Sequence, residues 1–223
     1  LHWEIDRNGL VQIHLVYDQE RASPNRANGH WHFRLEATPG TTLTLMLNNL
    51  LNVWNGKPGV PVSDRTICKV SADGETWRTV ETEIMDGERL RFEVTVETGS
   101  LYVAHVEPYR LTDLEQLLGE IKAHPLVSIA KIGKTVQGRD LEIIRIGTKD
   151  EPKHRVFIRA RAHPWEPGGN WVVQGLVKSL LDDTDPRNKD YLNRYAVYIM
   201  PMANKDGVVH GRTRFNMRGE DLN

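Results

Sequence analysis

Cysteine is almost absent: Cys68 is the only one in 223 residues. No internal disulfide can staple the fold, which suits a reducing compartment. A lone thiol of this kind is read as a core or surface group in preference to a catalytic nucleophile. Long apolar runs are missing too, and none approaches the ~20 residues that span a bilayer. The first residues, Leu1 to Glu4, lack both the basic and the apolar region of a signal peptide. Neither a membrane span nor a signal peptide is expected, although residue 1 is not a methionine and an earlier-removed leader stays open. An excess of either charge is also lacking, with 29 basic against 30 acidic residues. A net charge of −1 gives no global argument for nucleic acid or an anionic membrane as partner. Eighteen glycines and 11 prolines are too few for collagen-like or low-complexity chains, and 39% hydrophobic residues exclude disorder. What remains is a globular chain long enough for one large or two small domains.

The balanced total hides a step. Up to Pro108 there are 10 basic and 15 acidic residues, and from Tyr109 onward 19 and 15. The texture changes at the same place. Residues 1–107 read as about seven short strands (10–17, 30–36, 42–47, 66–71, 76–80, 89–96 and 100–105) by the criterion of period-two alternation. Leu43, Leu45 and Leu47, and Leu90, Phe92, Val94 and Val96, show that alternation most clearly. Asp73-Gly74 and Asp86-Gly87 are tight-turn signals between such runs. The segment is expected to form an all-β sandwich.

After Pro108 the period lengthens. Leu114, Leu117, Leu118 and Ile121 fall on one helical face behind Thr112-Asp113-Leu114-Glu115, which has capping-box form, and Pro125 stops the helix. Strands follow at 129–132, 141–146 and 155–162. A helix over 168–181 and a polar, Pro-containing loop over 182–190 then lead to a buried strand at 195–200. Strand, helix, strand is the pattern of an α/β domain with a mixed, mostly parallel sheet, here over residues 108–223.

Side chains with chemistry gather just beyond the strand at 155–162, in His163-Pro164-Trp165-Glu166. Sites of open α/β sheets lie past the carboxyl ends of strands. A histidine and a glutamate three residues apart in a tight turn can aim an imidazole nitrogen and a carboxylate at one divalent ion such as zinc. The same pair could instead hydrogen-bond a turn or cap the next helix. Further on stand Pro201-Met202-Ala203-Asn204-Lys205-Asp206-Gly207, then Arg214, then Asp221-Leu222-Asn223. On their own, Asn204 and Asp206-Gly207 read as turn chemistry.

In this order and spacing, the segments resemble the zinc carboxypeptidases of the M14 metallopeptidase family, which pair His-x-x-Glu with P-x-x-N-x-D-G and D-L-N-R. The resemblance is nearest to the cytosolic carboxypeptidase branch, which has a β-sandwich before its catalytic domain. His30-Trp31-His32-Phe33-Arg34, Ser71-Ala72-Asp73-Gly74-Glu75-Thr76-Trp77 and Gly138-Arg139-Asp140-Leu141 contribute to it. The resemblance implies a β-sandwich over 1–107 and a carboxypeptidase-like α/β domain, C-terminally incomplete, over 108–223.

It also implies a zinc-dependent, cytoplasmic peptide hydrolase that takes the C-terminus of a peptide or protein as substrate, with no role for nucleic acid or membrane. His163 and Glu166 are then two of three protein ligands of Zn²⁺. Arg214 polarises the scissile carbonyl and stabilises the oxyanion, and Asn223 holds the substrate's terminal carboxylate. The family's third ligand, its catalytic glutamate and the arginine after D-L-N have no counterpart up to Asn223. The 223 residues alone are therefore expected to be inactive. His210 precedes Arg214 and is not expected to replace the third ligand. Trp165, where this branch more often has glycine, is read as packing near the site mouth, with substrate stacking as the alternative. His30, His32 and His105 sit in strand patterns and read as structural. A zinc amidohydrolase of small N-acyl amino acids and a non-catalytic binding module remain as other readings.

Overall fold

The structure is a computed structural model that describes residues 1–60, 63, 66–148 and 152–223. It divides into two compact units. The first comprises Leu1–Pro108 together with Gly211–Phe215, and the second Tyr109–His210 together with Asn216–Asn223.

The first unit has eleven strands among the described residues. They are β1 (His2–Ile5), β2 (Val11–His14), β3 (His32–Glu36), β4 (Thr41–Asn48), β5 (Asn52–Trp54), β6 (Lys57–Gly59), β7 (Cys68–Ser71), β8 (Arg78–Val80), β9 (Glu83–Met85), β10 (Arg89–Val96) and β11 (Ser100–Ala104). One sheet runs β1-β2-β4-β10-β9 and another β3-β11-β7-β8, while β5 and β6 form a separate hairpin. Both larger sheets feed one core. Val11, Ile13, Leu45, Leu47, Leu90, Phe92, Val94 and Val96 from the first meet Cys68, Val70, Leu101 and Val103 from the second. The alternation predicted for 89–96 is the burial pattern of β10, where every second residue is buried.

Four strands escaped the sequence reading: β1, β5, β6 and β9. The β5–β6 hairpin had a legible signal in Asn55-Gly56, whose φ values of 52° and 73° suit a two-residue turn with both residues left-handed. Asp86-Gly87, with φ of 54° and 72°, opens the three-residue turn that joins β9 to β10 and is closed by Glu88 N–H to Met85 O at 3.1 Å. At Asp73 the carboxylate accepts the N–H groups of Thr76 at 2.7 Å and Glu75 at 2.8 Å and the Ser71 hydroxyl at 2.8 Å. These bonds, that of Thr76 foremost, hold it well below the usual carboxylate range. Cys68 is wholly buried and its thiol is pushed up to about 12 by burial, which fits the reading as an inert core group.

In the second unit α1 (Leu111–Ile121) leads to β12 (Val127–Lys134), β13 (Asp140–Ile146) and β14 (His154–Arg159). Then come α2 (Gly168–Leu180), α3 (Pro186–Arg194), β15 (Tyr195–Met200) and the short α4 (Lys205–Val209). The sheet order is β12-β13-β15-β14. The sheet is mixed, but its parallel part is the β14–β15 pair alone, and β12–β13 and β13–β15 are antiparallel. Antiparallel pairings thus outnumber parallel ones among the described strands, because the β12–β13 connection is a tight turn and a parallel pair needs a crossover. Leu117 and Ile121 of α1 and Val173, Val177 and Leu180 of α2 join Ile144, Ile146, Val197 and Ile199 of the sheet in one core.

Two local expectations need correction. The cap of α1 is Arg110, whose N–H donates to Asp113 at 2.5 Å, so the box lies two residues before the Thr112–Glu115 pair. The polar stretch 182–190 is no loop throughout. Pro186 at the first helical position and the Asp185 carboxylate accepting from the Arg187 N–H at 3.0 Å start α3 there.

His105 gives the first unit a pH dependence. Its ring stacks on Trp31 at 4.5 Å, and burial, only partly opposed by a hydrogen bond with the Gly29 backbone, lowers its pKa below the ordinary 6.5. The unfolded chain therefore takes up a proton at a pH where the folded chain does not, so stability falls as pH drops through about 6.5 and levels off below the folded pKa. His105→Gln removes this proton. The stability advantage of the wild type over the variant should shrink on acidification by at most about 1.4 kcal/mol per pH unit, read from urea unfolding between pH 7.5 and 5. An advantage that grows on acidification would contradict the assignment.

Candidate metal centre

The site starts from a chain reversal at the end of β14. Ala160 donates to Met200 O at 2.9 Å, the last rung beside β15, and Arg161 then takes a left-handed φ of 58°. For a non-glycine residue that conformation costs about 1–2 kcal/mol. The Arg161 side chain is bound on both sides: Nε donates to Pro164 O at 2.8 Å and Nη1 to Asn170 Oδ1 at 2.9 Å. Asn170, in the first turn of α2, donates in turn to Pro201 O at 2.6 Å. Burial brings the Arg161 guanidinium down to about 10, with the charges of Glu166 and Tyr109 working the other way, so it remains a cation at neutral pH. His163-Pro164-Trp165-Glu166 is a four-residue turn closed by Glu166 N–H to His163 O at 3.2 Å, with proline at the second position as such turns favour.

The segment after β15 holds this turn from the other side. Asn204 donates its N–H to Arg161 O at 3.0 Å and its amide Nδ2 to Ala162 O at 3.3 Å. Its Oδ1 accepts from Gly207 N–H at 3.1 Å and caps α4. Asn204 and Gly207 are thus more than a local turn, for they pin the segment that leads into His163–Glu166. Asp206 is buried and accepts from Thr135 Oγ1 at 2.8 Å, Gln137 N–H at 2.9 Å and Arg139 Nη1 at 2.6 Å. Burial alone would raise its pKa, but those donors outweigh it and hold the carboxyl below its ordinary value. Lys205, also buried, pairs with Glu142.

Around His163 the geometry is specific. Its ring is 5% exposed; Nδ1 lies 2.8 Å from Glu166 Oε1 and Nε2 lies 3.0 Å from Asp221 Oδ1. With the ring proton on Nε2 and given to Asp221, the Nδ1 lone pair faces the Glu166 carboxylate. In that tautomer an imidazole nitrogen and a carboxylate oxygen converge as a divalent cation requires. Among the described residues no group of three or more His, Cys, Asp or Glu side chains could hold a metal.

Asp221 was not assigned a role from sequence, although Asp-Leu-Asn was singled out. A closed turn places it: Asn216 Oδ1 accepts from the Arg218 and Glu220 N–H groups at 2.8 and 3.0 Å, and Gly219 is left-handed. Asn223 N–H donates to the same Asp221 oxygen at 3.2 Å, so Asn223 and His163 share one carboxylate. Arg214 lies in the segment that clusters with the first unit, its backbone N–H donating to Asp18. His210 is exposed and its Nε2 lies 2.9 Å from Gln137 Oε1. Trp165 is half-buried.

Residues 114–223 match the Zinc carboxypeptidase family and residues 3–106 match the Cytosolic carboxypeptidase N-terminal domain. A metallo-carboxypeptidase from Burkholderia cenocepacia superposes with a TM-score of 0.85 at 29% identity, covering 99% of this chain and 57% of its own. One from Pseudomonas aeruginosa gives 0.79 at 27%, covering 95% and 55%. Cytosolic carboxypeptidase 2 of Danio rerio is 27% identical over 67% of this chain and 24% of its own length. The chain therefore spans little more than half of these solved structures and a quarter of that curated relative.

Gly207 carries a test of the scaffold. A Cβ there would stand 2.6 Å from Pro164 Cγ and 2.7 Å from Asn204 Oδ1. Neither the ring nor the doubly bonded amide can yield freely. Gly207→Ala should destabilise the protein by about 1–3 kcal/mol in thermal or urea unfolding. A neutral substitution would show that the turn does not rest on α4.

Proposed function

Since the chain belongs to the zinc carboxypeptidase (M14) family, with the N-terminal domain of its cytosolic branch, we propose that it serves a cytoplasmic metallocarboxypeptidase removing C-terminal residues from peptides or proteins. In this proposal 1–107 is the sandwich domain and 108–223 carries the first part of the catalytic domain. The observation that supports it most is the convergence of His163 Nδ1 and Glu166 with Asp221 behind the ring. His163 and Glu166 would hold Zn²⁺, and the donor set fits that ion as two of three protein ligands. Zinc bound there supplies Lewis acidity toward a carbonyl and toward water.

The chain's own residues do the rest. Asp221 keeps the His163 proton on Nε2 and so keeps Nδ1 available. Arg161 and Asn204 hold the turn that carries both donors. Arg214 offers a guanidinium where negative charge develops on the scissile carbonyl oxygen, an interaction that strengthens toward the transition state. Asn223 supplies an amide donor to the substrate's terminal carboxylate. No helix among the described residues is long and apolar enough to cross a membrane, and the substrate is taken to be an aqueous peptide terminus.

Two measurements test this. In the full-length protein, His163→Ala should abolish stoichiometric zinc binding, while Asp221→Asn should weaken it about 10- to 100-fold, read by chelator competition. Undiminished zinc affinity in both would remove the metal assignment. Residues 1–223 alone, with two donors, should bind zinc only weakly and should not release C-terminal amino acids from peptides. Turnover by that chain would show that the donor set is misread.

A further inference from the structure

The sandwich unit holds the arginine assigned to the oxyanion. We infer that Trp54 and Asp18 are positioning residues for Arg214, fixing the backbone that carries it and the conformation of its guanidinium. This rests on the proposed role of Arg214.

The evidence is a clasp around Arg214–Phe215. From one side the carboxylate of Asp18, 2% exposed, accepts the backbone N–H of Arg214 and that of Phe215, the latter at 3.1 Å. Its other oxygen accepts from Arg212 Nη1 at 3.1 Å. One buried carboxylate thus fixes the backbone on which the Arg214 side chain is mounted. From the other side the Trp54 ring lies against the Arg214 guanidinium, 4.7 Å from centroid to Cζ. The same ring is nearly parallel to Phe215, at 8° and 6.5 Å. A guanidinium on an indole face is held by the ring quadrupole and by planar contact.

The two arms of the clasp are themselves joined. Asn28 Oδ1 accepts from Asp18 N–H at 3.0 Å, and Asn28 N–H donates to Asn52 Oδ1 at 2.6 Å. Asn52 opens β5, which Trp54 closes, and Arg26 and Val53 exchange backbone hydrogen bonds at 2.9 and 3.0 Å. Gly29 N–H reaches Thr213 Oγ1 at 3.4 Å. The clasp is built from the connection between β2 and β3 and from strand β5, and the 211–215 segment is fastened to it at residues 212, 213, 214 and 215. A long flexible side chain asked to meet a developing charge loses rate when it wanders. Stacking on Trp54 removes that freedom.

The test uses the zinc-loaded, full-length protein, a peptide substrate and a phosphonate peptide that mimics the tetrahedral anion. Arg214→Ala should lower kcat about 100-fold or more. Trp54→Leu keeps apolar bulk and loses the π face; it should lower kcat about 10-fold with KM within about twofold, and weaken the phosphonate by a like factor. Trp54→Phe should recover most of both. Asp18→Asn, which keeps an acceptor and loses the charge, should give a smaller kcat loss of about threefold and serves in place of the leucine variant if that fails to fold. In an Arg214→Ala background, Trp54→Leu should have no further effect. Equal kcat losses by Trp54→Leu in both backgrounds would reduce Trp54 to a structural role and overturn the inference. Full kcat in Trp54→Leu and Asp18→Asn beside a crippled Arg214→Ala would also overturn it, leaving the role of Arg214 standing. Full kcat and phosphonate affinity in Arg214→Ala would sink that role first and the clasp with it.

Discussion

The proposed metal site depends on one backbone reversal, the left-handed residue at Arg161 that turns the end of β14 into the His163–Glu166 turn. An extended strand would send His163 and Glu166 to different places. The reversal brings them to one point, in a conformation that L-residues avoid. Its cost is met by neighbours that each satisfy a specific backbone group: Asn204 at the Arg161 and Ala162 carbonyls, and Arg161 itself at the Pro164 carbonyl. Asn170 links the guanidinium to Pro201 and so ties α2 to the end of β15. The parallel β14–β15 pairing makes this possible, because it ends both strands side by side and lets the segment after one brace the turn after the other.

The legibility of these parts follows from the range of the physics behind them. β10 and α1 were readable because burial imposes a period on neighbouring residues, and Asp86-Gly87 because a tight turn demands left-handed backbone. That His163 and Glu166 meet was readable because three residues of spacing in a turn already bring a histidine and a glutamate together. Asp221 escaped assignment because its contact with His163 spans 58 residues, and nothing local to Asp-Leu-Asn says what its carboxylate faces. Missing β1, β5, β6 and β9 has another cause. They are three or four residues long and mostly exposed, so burial writes little pattern into them. Helix α3 was hidden by its polarity, with only Leu192 of its residues buried, and its start had to be read from Asp185-Pro186 instead.

The assignment of Gly211–Phe215 to the first unit was beyond sequence reasoning for a related reason. A chain that crosses from an all-β texture to an α/β one suggests a single boundary, and no hydrophobic period marks a five-residue return. What marks it is the buried Asp18 carboxylate, which lies in an irregular stretch before β3 and whose acceptors are filled by backbone N–H groups nearly 200 residues later. A buried carboxylate without such donors would be costly. Asp18 is therefore as informative about the 211–215 segment as any residue within it.

The charges around His163 explain why a two-donor turn can be preformed. Two carboxylates flank a single imidazole, and bringing like charges near one ring is unfavourable unless a cation is close. Arg161 is that cation: it is buried behind the turn, and its charge and that of Glu166 favour one another. The guanidinium thus has two effects. Its charge stands opposite that of Glu166, and its hydrogen bond to Pro164 O fixes the turn on which Glu166 stands. It also draws on the same negative charge that would attract a dication, which lowers the attraction Glu166 alone could offer. Asp221 lies on the far nitrogen of the ring and orients it, so the turn is held from Arg161 and the ring from Asp221. Neither residue belongs to the His-x-x-Glu pair, and in the proposed site both support it.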